Sequence, residues 1–210
     1  MSNWQNAPAM RYEAHYGDRV VRCFAERSKG VDQILREAVA AKPDGEALVD
    51  NGRRFTYAEM DRIVDSVAAG LIRRGVVPGD RIALLLGNRA EFAFAVFGAM
   101  RAGAAVVPLN TREQKPEIAF NIQDSGANIL FFEADLADRI PDADSVPTLA
   151  HRFAVGGGAP GAEPFEALTA PSAPSAPVAT PDFDQETTAV ILYTSGTTGK
   201  PKGAMLTQMS

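Results

Sequence analysis

Arg81-Ile82-Ala83-Leu84-Leu85-Leu86-Gly87-Asn88 is a nearly unbroken apolar run that stops at a glycine and an asparagine. A strand with one wet face alternates apolar and polar side chains. A run this continuous instead predicts a strand buried on both faces, as in a parallel sheet. Residues 89–102 read as a helix stopped by Gly103, Ala104 to Val107 as a second short strand, and Pro108-Leu109-Asn110 as the turn out of it. Gln114 to Gln123 reads as a further helix, Ser125-Gly126 as its stop and Asn128 to Phe132 as a strand. Strand and helix therefore alternate, which predicts right-handed crossovers and an α/β fold whose mostly parallel sheet is flanked by helices.

Upstream, Val31, Ile34, Leu35, Ala38 and Val39 share one face of a helix over residues 31–41, ended by Pro43-Asp44-Gly45. Ala47 to Asp50 and Arg53 to Phe55 flank Asn51-Gly52, which predicts a small hairpin. Thr56 and Glu59 form a capping box that opens a helix running to about Arg74. Its core stripe is Met60, Ile63, Val64, Val67, Ala68 and Leu71, and Gly75 stops it before the turn Pro78-Gly79-Asp80. Between Gly156 and Pro181 the composition shifts to glycine, alanine, proline and serine, and a loop is expected there. The chain thus divides into an N-terminal extension (1–30), an α/β lobe (31–155), a Gly/Ala/Pro-rich loop (156–182) and a final strand with the segment that follows it (183–210).

With 210 residues, 46% of them hydrophobic, the chain can bury one moderate core. A net charge of −5 with both signs interspersed favours neither nucleic acid nor an anionic membrane as partner. Cys23 is the single cysteine, and His15 and His151 are the only histidines, so no internal disulfide and no dedicated zinc site are expected. Residues 1–30 lack the apolar core of a secretory signal, and Phe92 to Leu109 is too interrupted to span a membrane, so a cytoplasmic location is expected.

The chemistry concentrates near the end of the chain. Ala189 to Tyr193 reads as a short buried strand, and the next ten residues, Thr194-Ser195-Gly196-Thr197-Thr198-Gly199-Lys200-Pro201-Lys202-Gly203, cannot continue it. Three glycines let backbone N–H groups approach an anion, four hydroxyls donate further hydrogen bonds, and two lysines supply charge. Such a set suits a triphosphate. The loop is not the Gly-x-x-x-x-Gly-Lys-Ser/Thr type, because Thr194 stands where the first glycine belongs and Pro201 where the hydroxyl belongs. Gly156-Gly157-Gly158 has neither hydroxyl nor lysine beside it and is assigned no phosphate.

The run from Tyr193 to Gly203 resembles the signature loop of the adenylate-forming enzymes, which include acyl-CoA synthetases, luciferases and peptide-synthetase adenylation domains. Phe55-Thr56-Tyr57-Ala58-Glu59, Pro78-Gly79-Asp80-Arg81, Gly87-Asn88, Arg101-Ala102-Gly103 and Pro108-Leu109-Asn110 fall in that family's order too. They mark fold, since caps, turns and close packing account for each. The resemblance implies the first αβα lobe of the family's N-terminal domain, and an activity in which a carboxylic acid and MgATP give an acyl-adenylate and pyrophosphate. The acyl group is then passed to coenzyme A. It further implies that Thr194, Ser195, Thr197 and Thr198 bond the β- and γ-phosphates, that Gly196 and Gly199 allow backbone approach, and that Lys200 and Lys202 neutralise charge. Gln208 stands where relatives often have histidine. The family's adenine pocket, acyl pocket, magnesium-holding acid and adenylation lysine would fall after residue 210. The chain is accordingly expected to be an inactive N-terminal fragment with no catalytic or metal-binding residue of its own. A self-standing phosphate-binding module, or a remnant that associates with itself as a homo-oligomer, are the alternatives, and the acid is not identified.

Overall fold

The computed structural model describes residues 8–169, 177–182, 184, 186–194 and 201–208. Two antiparallel hairpins come first, β1 (Met10–His15) with β2 (Arg19–Phe24), and, after helix α1 (Val31–Ala41), β3 (Glu46–Asp50) with β4 (Arg53–Thr56). The second is the predicted one: Asn51 and Gly52 both take positive φ, 47° and 82°, as a two-residue turn between twisted strands requires. The first lies in what the sequence suggested was only an extension. Both of its faces carry apolar side chains, with Tyr12, Val20 and Phe24 exposed and Cys23 buried, so the pattern that normally betrays a strand was hard to see.

Helix α2 (Tyr57–Arg73) opens with the capping box: the Glu59 N–H donates to Thr56 Oγ1 at 3.2 Å, and Glu59 Oε2 accepts from the Thr56 N–H at 2.8 Å. The alternating unit follows as β5 (Arg81–Leu85), α3 (Ala90–Arg101), β6 (Ala105–Pro108), α4 (Lys115–Ser125), β7 (Ile129–Glu133) and β8 (His151–Val155). Two residues, Glu163–Pro164, make β9, and Glu166–Thr169 makes the single turn α5. The chain continues to β10 (Thr188–Thr194) and β11 (Lys202–Thr207).

These strands form one seven-stranded sheet in the order β11-β10-β6-β5-β7-β8-β9, parallel throughout except for the antiparallel pair of β10 with β11. Both faces are buried, as the apolar run of β5 predicted. Ile82, Leu84, Val106, Phe131 and Phe153 pack toward α1, α2 and α3, whereas Ala83, Leu85, Val107, Leu130 and Phe132 pack toward α4. The connection after β5 thus crosses one face and the connection after β6 the other. Chain reversals of this kind open a crevice at the carboxyl ends of the strands.

The loop expected from Gly156 onward is not wholly a loop. Phe165 is 3% exposed and Leu168 is fully buried, and Leu168 lies so close to α2 that a Cβ on Gly70 would fall 2.6 Å from its Cδ2. Further on, Val178 O and Thr180 Oγ1 accept from the Arg36 guanidinium at 2.7 and 3.1 Å, and Thr180 also bonds Asp32. A few large residues in a low-complexity stretch were enough to tie it to the core.

Candidate functional site

β10 runs parallel to β6, with Val190 beside Val106, so its carboxyl end lies at the crevice end of the sheet. β11 returns antiparallel, and Thr194 and Lys202 are the last Cα partners of the ribbon. Residues 195–201 join the two strands in sequence. Of the phosphate-binding residues read from the sequence, the structure brings Thr194 and Lys202 together; Ser195, Gly196, Thr197, Thr198, Gly199 and Lys200 lie outside the described residues. Lys202 is exposed and has no carboxylate partner among the described residues, which leaves its ammonium free for an anion. Gly203 is sterically required: a Cβ there would lie 2.9 Å from Ile191 Cγ2 and 3.2 Å from the Tyr193 ring.

Tyr193 fixes the strand just before the loop. Its ring meets Phe120 edge-on at 6.3 Å, and its hydroxyl donates to Asp124 Oδ2 at 2.7 Å, joining β10 to α4. Burial and this bond to a carboxylate push the phenol pKa above its ordinary value, so Tyr193 stays a neutral donor.

The neighbouring strand ends hold polar groups that the sequence did not single out. At β6, Asn121 Nδ2 donates to Glu113 Oε2 at 3.1 Å, and burial pushes the Glu113 carboxyl up. Asn121 Oδ1 is buried without a partner among the described residues. At β5 and β7, Glu133 accepts from the Gly87 N–H at 3.0 Å and from Arg89 Nη1 at 2.6 Å, while Glu91 accepts from Arg89 Nε at 2.8 Å and Arg53 Nη1 at 2.7 Å. These charges satisfy one another and lock the turn after β5. Burial tends to raise the Glu91 pKa, but the two guanidinium groups outweigh it and hold it at about 2, against an ordinary 4.5. A depressed carboxylate stabilises the fold at neutral pH, and that contribution drains away as pH falls from 4.5 toward 2. Glu91→Gln is therefore expected to flatten the dependence of the urea midpoint on pH across that window. An equally steep acid limb in the variant would contradict this.

Two other features are assigned no ligand. A cavity of about 520 Å³ opens beside Tyr193, Gly203 and Met205, and its other walls include Gly79, Arg81 and Ala105, at the amino ends of β5 and β6. Glu13, His15 and Cys23 gather their ligand atoms within 4.8 Å, a grouping the count of histidines and cysteines did not foresee. Arg27 Nη2 lies 2.7 Å from the same Glu13 carboxylate and Arg11 bonds it as well, so a dication there would face two guanidinium groups. Among the described residues no helix is long and apolar enough to cross a membrane.

A family model describing AMP-binding enzymes matches residues 35–210. The chain belongs to the AMP-binding enzyme family. Its members are adenylate-forming ligases, and the chain corresponds to part of their N-terminal AMP-binding domain, covering 44% of the isolated N-terminal domain of FACL13 from Mycobacterium tuberculosis. A long-chain-fatty-acid–CoA ligase of Mycobacterium tuberculosis, FadD13, is 34% identical over 185 residues, covering 87% of this chain and 36% of that protein. The apo structure of Mycobacterium smegmatis MbtA is similar with a TM-score of 0.78 and 35% identity, over 87% of this chain and 34% of that one. The anthranilate CoA ligase AuaEII, solved with anthranoyl-AMP, also gives a TM-score of 0.78, at 25% identity over 86% of this chain and 35% of that one. The chain thus spans about a third of the length of these relatives, as the 34–36% coverage states.

Proposed function

We propose that this AMP-binding chain supplies the phosphate-binding part of an ATP-dependent carboxylic acid:CoA ligase. The observation that carries this reading is the closing pair of the ribbon, Thr194 beside Lys202, which has no carboxylate partner among the described residues, at the carboxyl end of a parallel sheet and on either side of a Gly- and hydroxyl-rich connection. Thr194, Ser195, Thr197 and Thr198 donate to the β- and γ-phosphates, Gly196 and Gly199 let the backbone come close, and Lys200 and Lys202 hold the charge. A carboxylate oxygen of the acid attacks the α-phosphorus as the bond to the bridging oxygen breaks, and pyrophosphate leaves. Negative charge gathers on the departing oxygens, which is where donors and lysines lower the barrier. The coenzyme A thiol then attacks the acyl carbon and AMP departs. Magnesium travels with the nucleotide, and no residue of this chain is assigned to hold it. Residues 31–155 act as the lobe that carries the ribbon. A cytoplasmic location, where ATP is supplied, goes with this reading.

Isothermal titration of the 210-residue chain with MgATP tests it. Binding is expected, and Lys202→Ala is expected to weaken it by about tenfold, the worth of one charge-assisted bond. Carboxylate-dependent exchange of labelled pyrophosphate into ATP is expected from the longest product of the coding frame and not from the 210-residue chain. Absence of MgATP binding to the chain, or equal affinity in Lys202→Ala, would remove the phosphate loop from this account.

A further inference from the structure

The ribbon that carries the loop is held at its other end by side-chain bonds, one between the Tyr16 hydroxyl and Thr207 Oγ1 at 2.9 Å and one made by Gln208. Gln208 directly follows β11 and is 8% exposed. Its Oε1 accepts from the backbone N–H of Val31, the first residue of α1, at 3.1 Å and across 177 residues of sequence. The N-cap of α1 is Gly30, which has no side chain to offer, and Gln208 supplies from outside an acceptor for the N–H of the first helical residue, one of the donors that a helix start leaves open. The backbone of Gln208 adds a second tie, donating to Thr187 O at 2.9 Å. The anchor is itself rigid: Asp32, the next residue of α1, is 2% exposed and accepts from Arg101 Nε and Arg36 Nε at 2.9 Å each.

Between this anchor and the loop the ribbon is irregular. Thr188 pairs with Thr207 but Val190 pairs with Leu206, so Ala189 is an extra residue on β10. An extra residue marks a place where two strands can change register, and a slip of one residue carries a side chain about 3.3 Å and turns it to the opposite face. Such a slip would take Lys202 away from Thr194.

We propose that Gln208 is a register pin: by holding the far end of β11 to α1 it sets where Lys202 stands at the loop. This rests on reading residues 194–202 as the phosphate loop. Gln208 touches no phosphate and is a positioning residue. Gly30 offers an independent way to break the contact. Its φ is −177°, extended backbone that alanine adopts freely, yet a Cβ there would lie 2.9 Å from Gln208 Oε1. Gly30→Ala thus displaces the carboxamide while leaving Gln208 in place.

The 210-residue chain and its Gly30→Ala, Gln208→Met and double variants provide the test, with Gln208→Glu, which keeps an acceptor, as the rescue. Amide exchange at Val31, cross-strand nuclear Overhauser contacts between Thr194 and Lys202, and MgATP affinity are the readouts. Each single variant is expected to speed Val31 exchange about fivefold and to weaken MgATP by a similar factor, the usual effect of losing one cap. The double variant should be no worse than either, because both changes remove the same bond, and Gln208→Glu should behave as the parent. Unchanged MgATP affinity alongside faster Val31 exchange would reduce Gln208 to a helix cap and overturn the pin. A protected Val31 in both single variants would overturn the contact itself. Should the parent chain bind no MgATP, the phosphate-loop reading fails on its own, and the pin is decided by the Thr194–Lys202 contacts: their loss in Gln208→Met supports it and their persistence overturns it.

Discussion

Arg101→Met is expected to cost about 3–5 kcal/mol of unfolding free energy, seen as a lower urea midpoint with little change in slope. Arg101 is completely buried at the last turn of α3, where its guanidinium gathers one carboxylate from α1 and two from α2. It donates to Asp32 at 2.9 Å, to Asp61 at 2.6 Å and to Asp65 at 2.7 Å. Burial works against its charge, yet the three aspartates prevail and its pKa lies above the ordinary guanidinium value. Methionine fills much of the volume but answers none of the carboxylates. Asp61 and Asp65 are about a quarter exposed, at 26% and 24%, and can recover water; Asp32, at 2%, cannot. Most of the cost therefore falls on Asp32, so Arg101→Met combined with Asp32→Leu should lose less than the sum of the two single changes. Strict additivity in a double-mutant cycle would show that the helices are not joined through this group.

Phe131→Ala is expected to be of similar size, about 3–5 kcal/mol, because a fully buried aromatic ring is removed from packing that can close only in part. Phe131 lies in β7, with β5 on one side and β8 on the other. Its ring stacks on Phe153 at 5.1 Å and meets Phe165 edge-on at 5.8 Å. The loss should reach beyond the sheet: Phe165 precedes α5, so the backbone amide of Leu168 is expected to lose exchange protection together with the drop in midpoint. A drop below about 1 kcal/mol would mean that the site collapses around the missing ring.

How much of this was legible beforehand depended on whether a residue's role repeats along the chain. The strand over residues 81–85 and the helices on either side of it declared themselves through periodicity, because a buried face must recur every two or every 3.6 residues. Asn51-Gly52 and Thr56 with Glu59 were readable because each acts on its immediate neighbours. The β1–β2 hairpin was missed because its exposed face carries Tyr12, Val20 and Phe24, which defeats the rule that apolar means inside. Phe165 and Leu168 were missed because two core residues in a stretch rich in alanine and proline make no period. Around the candidate site, the grouping of glycine, hydroxyl and lysine that includes Thr194 and Lys202 could be read, because those residues sit together in sequence. The facing position of Thr194 and Lys202 across the ribbon followed only once β10 and β11 were paired. The bond from Gln208 to Val31, like that from Tyr193 to Asp124, joins residues far apart in sequence, and no local pattern announces such contacts.

The outer strand of the sheet carries a liability of a different kind. β11 pairs on one side only among the described residues, Lys202 is its single charge, and Met205 and Leu206 are 69% and 37% exposed. Edges in stable soluble proteins are commonly guarded by several charges, a proline or a covering segment, because bare backbone donors and acceptors recruit any strand that passes. With one guard at one end, this edge is a template. A further strand can therefore add to the sheet at β11 through backbone bonds alone.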